Sequence, residues 1–171
     1  NYDRELTNIF AIQDEIAGSI AEALKVSLEL QSGSAGNLTG TNSIEAYEHY
    51  LKGMSLWHER TAISLTAAIR EFEAAAAIDP QFAKAYAGQA VTWGVIDGYT
   101  NLDFEETGPN TIAAAKKALA LDPENVESIA IQGIVARYDL DYQASAEFFE
   151  RAMELNPSYA SAYQWYGGTL G

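Results

Sequence analysis

Cysteine is absent from this chain of 171 residues. That removes disulfides, thiolate chemistry and cysteine-based zinc sites together. It does not separate cytoplasm from periplasm, because a helical protein needs no disulfide in either. Basic residues are scarce: 10 Lys and Arg stand against 24 Asp and Glu, a net charge of −14. Nucleic acids and anionic lipid surfaces reward Lys and Arg, and no basic run occurs. Neither nucleic-acid binding nor direct membrane contact is therefore expected of this segment. No apolar run approaches the ~20 residues that a membrane-spanning helix needs. The N-terminus, Asn1-Tyr2-Asp3-Arg4-Glu5, has neither the basic start nor the apolar core of a signal peptide. It also lacks an initiator Met, and Gly167-Gly168-Thr169-Leu170-Gly171 ends as a repeat is beginning, so a piece of a longer protein is expected. The two histidines, His49 and His58, are nine residues apart, a spacing that puts no ligand pair on one helix face. They are expected at ordinary polar positions.

What is present is a globular balance, 48% hydrophobic and 20% charged. Residues 31–42, rich in Gly, Ser, Thr and Asn, read as a flexible linker. Beyond them the chain repeats itself. Ala75…Ile78-Asp79-Pro80, Ala118…Leu121-Asp122-Pro123 and Ala152…Leu155-Asn156-Pro157 each set Ala five residues before Pro. The second and third Pro are 34 residues apart, the first and second 43. Pro lacks an N–H and biases its predecessor away from helical angles, so it ends one helix and permits the next. A new amphipathic helix follows each time, through Phe82-Ala83-Lys84-Ala85-Tyr86, Val126-Glu127-Ser128-Ile129-Ala130 and Tyr159-Ala160-Ser161-Ala162-Tyr163. Small residues belong where paired helices approach most closely. In the third unit these are Gly133 and Ala136 on the first helix, facing Ser145, Phe149 and Ala152 on the second.

A helix-turn-helix unit of 34 residues with this pattern resembles the tetratricopeptide repeat (TPR). The third unit, Val126 to Pro157, fits without insertion. The first fits at Gly53, Ala68, Phe72, Ala75 and Pro80, with about three extra residues in the Trp57–Leu65 turn. The second has Tyr86, Ala90, Trp93, Ala118 and Pro123, but Ala115 replaces the usual aromatic and Asp97–Asn110 reads as a long inserted loop. A fourth begins at Ala160 with Tyr163, Tyr166 and Gly167. The resemblance implies an all-α fold, a right-handed superhelical array of antiparallel helix pairs over 44–171, three repeats plus the first helix of a fourth. Before it stand a linker, 31–43, and an N-terminal amphipathic helix, 1–30. Ile9, Ile12, Ile16, Ile20 and Leu24 give that helix one apolar stripe, expected to dock on the repeats or to form a homodimer with a second copy. Tyr2-Asp3-Arg4-Glu5-Leu6 followed by Ile9-Phe10-Ala11-Ile12 resembles the junction between a TolB-like domain and TPRs in bacterial signalling proteins. Such proteins often carry an adenylate/guanylate cyclase or winged-helix regulatory domain upstream.

No constellation in the sequence carries chemistry, and neither an enzyme activity, a cofactor nor a metal is expected. Asp139, Asp141, Gln143 and Glu150 partly mimic a calcium loop, but Ala144 stands where the sharp turn needs Gly. Phe72, Trp93 and Phe149 fall at packing positions. The resemblance implies that the first helix of each pair lines a concave surface. Tyr47, Tyr50, Met54 and Trp57 project there from the first unit, and Lys84, Ala87, Val91 and Val95 from the second. Glu127, Ala130, Ile134, Arg137 and Tyr138 project from the third, Ser161 and Gln164 from the fourth. The set is mainly apolar and aromatic, and it lacks the Lys/Asn/Arg group with which some TPR domains clamp a peptide's terminal carboxylate. A scaffold that grips a protein or peptide in this groove is expected, with Trp57 and Tyr138 bracketing it. The alternative is an intramolecular module whose groove holds the protein's own segment and couples to an upstream domain.

Overall fold

Three turns built alike organise the chain. The structure, a computed structural model, describes residues 40–168. The amphipathic helix read over 1–30 and most of the linker lie outside the described residues. Among the described residues there is no strand, and seven α-helices follow in order. They are α1 Ile44–His58, α2 Ala62–Ile78, α3 Ala83–Trp93, α4 Phe104–Leu121, α5 Val126–Tyr138, α6 Tyr142–Leu155 and α7 Ala160–Gly167. A 3-10 turn, Ile96–Tyr99, sits between α3 and α4.

Helices α2, α4 and α6 end on Asp79, Asp122 and Asn156, whose N–H groups bond back to the carbonyls of Ala75, Ala118 and Ala152. Each of these caps then accepts a backbone N–H on its side-chain Oδ1, from Gln81, Glu124 and Ser158 at 3.0, 3.3 and 3.0 Å. Each also accepts, on its carbonyl, the N–H of the residue three further on, Phe82, Asn125 and Tyr159. The intervening Pro has no N–H to leave unpaired. The result is one Asx-Pro turn made three times.

The strongest packing is within successive pairs, α1 on α2, α3 on α4 and α5 on α6, and lighter packing joins each pair to the next. First helices also touch one another, α1 with α3, α3 with α5 and α5 with α7. The interlocks are glycines against rings. A methyl placed on Gly53 would lie 2.7 Å from the Phe72 ring, and one on Gly88 2.5 Å from the same ring. Phe72 on α2 is thus held between α1 and α3. Phe149 on α6 meets Gly133 on α5 in the same way, at 2.8 Å. Beside it the Ser145 hydroxyl donates to the Gly133 carbonyl at 2.8 Å. In the second pair Ala115 offers no ring, and the side chains of Ile131 and Thr111 close around Gly94 instead.

The structure corrects two expectations. Asp97–Asn110 is not a loop, because most of it is the 3-10 turn and the first two turns of α4. Asp103 and Glu106 form a capping box there, the Asp103 carboxylate accepting the Glu106 N–H at 3.1 Å and the Glu106 carboxylate accepting that of Asp103 at 3.1 Å. The helix continues through Pro109, on a stretch whose outward residues are exposed. The linker's final residues are also seated: Thr41 is buried and donates to the Asp79 carboxylate, and Ser43 caps α1.

Candidate binding cleft

Where the first helices converge, a cavity of about 50 Å³ opens. Tyr50, Met54 and Trp57 from α1 line it, with Lys84, Ala87 and Gly88 from α3, Glu127 from α5 and Tyr159 from the turn before α7. The positions follow from helix periodicity. Tyr50, Met54 and Trp57 are spaced four and three residues apart, so they share one face of α1.

Tyr50 is fixed by a cluster of rings, 5.3 Å from Phe82 and 5.9 Å from Phe72 between centroids. Burial pushes its hydroxyl pKa up to about 12, and the nearby Glu127 carboxylate adds to the shift. Burial likewise raises the Tyr159 hydroxyl, again with a contribution from Glu127. Both phenols therefore remain neutral donors at ordinary pH, and the carboxylate sets a negative potential between them. The Arg60 guanidinium stacks over the Trp57 ring at 3.6 Å. Arg60 itself holds the left-handed backbone conformation, φ 53°, in the tight turn from α1 to α2. The Trp57 indole N–H is buried and finds no acceptor among the described residues.

No protein-family model matches the chain. Over 90 residues it is 32% identical to a protein named "Putative adenylate cyclase 3" from Rhizobium meliloti (strain 1021). That similarity covers 53% of this chain and 15% of the relative.

Of the fifteen residues projected onto the concave surface, six line the cleft: Tyr50, Met54, Trp57, Lys84, Ala87 and Glu127. Tyr47 stands beside them, stacked on Tyr50 at 6.1 Å. Val91 and Ile134 are core residues, 4% and 2% exposed, and form no accessible floor. Gln164 is exposed on α7 outside the cleft, and Arg137 reaches toward Gly168 at the end of α7. Tyr138 does not face Trp57 across a groove. Its ring lies parallel to Phe104 at 3.7 Å, and its hydroxyl donates to the Asp97 carboxylate, so it ties the inserted segment to α5. Loss of that stack should make Tyr138→Ala destabilising by about 1–2 kcal/mol. Tyr138→Phe, which keeps the stack, should stay within about 0.5 kcal/mol in a urea titration.

Gly88 lies in the cleft outside that projected set, and so does Tyr159. Its equivalents in the other two turns, Phe82 and Asn125, are both buried, so aligning the three turns carries the signal that this position points inward. His49 takes no part in the cleft; its Nδ1 pairs with Glu71 at 2.7 Å. Among the described residues no group of three or more His, Asp or Glu is placed to hold a metal ion, and no helix is long and apolar enough to cross a membrane.

Proposed function

We propose that this chain is a TPR module that performs no chemistry and serves as the protein-binding part of a larger bacterial signalling protein. The observation that carries the reading is the Asx-Pro turn made three times, with the glycine–ring interlock between helices in the first and third pairs. Identical turns set successive hairpins in one relation to each other, so their first helices bring side chains to a common face. On that face Tyr50, Met54, Trp57, Lys84, Glu127 and Tyr159 meet. Aromatic side chains with a Met between them suit protein recognition. The partial similarity to a protein named as an adenylate cyclase supports a signalling context.

That same similarity favours a second reading, in which the groove is filled by the protein's own segment and the module couples to an upstream cyclase or DNA-binding domain. One experiment separates the two. A photo-activated cross-linker placed at Met54 in the full chain, incubated with bacterial lysate, should trap a separate polypeptide in a defined adduct. Adducts confined to the chain itself would favour the intramolecular reading, and conversion of ATP to cyclic AMP by the chain alone would defeat both.

A further inference from the structure

Building on that reading of the cleft, we propose that it takes the guanidinium end of one arginine side chain from a basic peptide, set against the rings of Tyr50 and Tyr159 and paired with the Glu127 carboxylate. Size is the first argument. A buried water needs roughly 10–15 Å³, so about 50 Å³ admits roughly three to five small groups. That accommodates the flat head of one long side chain and excludes an aromatic ring or a helix.

The walls make the second argument. Three aromatic residues converge on the cleft, and ring faces attract cations, guanidinium above all because it is flat and weakly hydrated. The protein already uses this contact once, with Arg60 over Trp57 at 3.6 Å.

Charge is the third. Glu127 is half-buried, and among the described residues no ion pair ends on its carboxylate. Lys84, the other charged residue lining the cleft, makes no salt bridge to it within 4.0 Å. An arriving cation can pair with that carboxylate through charge-assisted hydrogen bonds. The net charge of −14 steers a basic partner toward the surface as a whole.

The test titrates the full chain with a six-residue glycine–serine peptide carrying one central arginine. Its twin carries citrulline, which is neutral and nearly the same shape. Tryptophan fluorescence and calorimetry follow the binding. The arginine peptide should bind roughly tenfold more tightly than its twin, and less tightly as salt rises. Glu127→Gln should erase the difference without lowering the melting temperature appreciably. Should that variant fold poorly, the comparison of twins on the unmodified chain still decides. Equal binding of the two peptides would point to an apolar side chain, and preference for a glutamate peptide to an acidic group on Lys84. Self-association that neither peptide disturbs would point to a second copy. Each of these overturns the arginine assignment and leaves partner binding at Met54 standing, whereas a failure of cross-linking at Met54 removes the reading beneath it.

Discussion

Truncation of Phe72 to alanine is expected to cost roughly 3–5 kcal/mol, a large part of the 5–15 kcal/mol that holds a typical domain together. The ring is 0% exposed and is gripped from both sides, by the Gly53 backbone of α1 and the Gly88 backbone of α3. A glycine has no side chain to swing into a void, and both helices are held by their other contacts. The cavity left by the ring therefore cannot close, which puts the loss at the upper end for its chemistry. The same geometry predicts the reverse error. Gly53→Ala or Gly88→Ala drives a methyl to within 2.7 or 2.5 Å of the ring and should cost about 1–3 kcal/mol by overpacking. Gly167→Ala, with nothing within 4 Å of the added methyl among the described residues, should be neutral or slightly stabilising, since alanine favours the helix. Because Phe72 joins its own pair to the next, its loss also weakens the coupling between hairpins. The urea transition of Phe72→Ala should move to lower concentration and broaden. A shift worth under about 1 kcal/mol, with an unchanged slope, would mean that the ring does not hold α1 and α3 together.

The helices and their turns were readable because proline, glycine and the Asx caps act locally. Pro80, Pro123 and Pro157 end helices through their own covalent geometry, so their spacing alone places three turns. Ala68, Ala75, Ala118 and Ala152 were readable for a related reason: close helix contact admits only small side chains, and all four are 0% exposed. In the inserted segment Gly108-Pro109 is a helix-breaking pair by local chemistry. The competing signal, an Asp103…Glu106 capping box, stood five residues earlier and prevailed, with Gly108 giving room to the Phe104 ring, which a methyl there would meet at 2.9 Å. The cleft was only half legible. Helix periodicity puts Tyr50, Met54 and Trp57 on one face, but it is silent on how far neighbouring hairpins rotate. That rotation buries Val91 and Ile134 and carries Tyr159 to the cleft. The pairing of Tyr138 with Phe104 and Asp97 depended on the path of the insertion, which no periodicity encodes.

Ala118→Arg should cost about 3–5 kcal/mol, while Lys116→Ala, two residues earlier in the same helix, should change stability by less than about 0.5 kcal/mol. The contrast rests on register. Ala118 is 0% exposed in the last turns of α4, and its carbonyl is committed to the Asp122 N–H that begins the second Asx-Pro turn. Arginine there must either thrust its stem between packed helices or leave a guanidinium buried without a partner. Overpacking alone costs about 1–3 kcal/mol and an unpaired buried charge adds several more, less whatever the side chain recovers by reaching water. Lys116 is exposed, about 200° around the helix from Ala118 by the ordinary turn of 3.6 residues. It makes no ion pair among the described residues, and alanine is the better helix former. The two variants share a helix, a turn and nearly a sequence position, so differences in the unfolded state largely cancel between them. Equal midpoints in parallel urea titrations would mean that α4 is rotated so that Ala118 no longer faces its neighbours. The turn at Asp122-Pro123, which sets the third hairpin on the second, would be rotated with it.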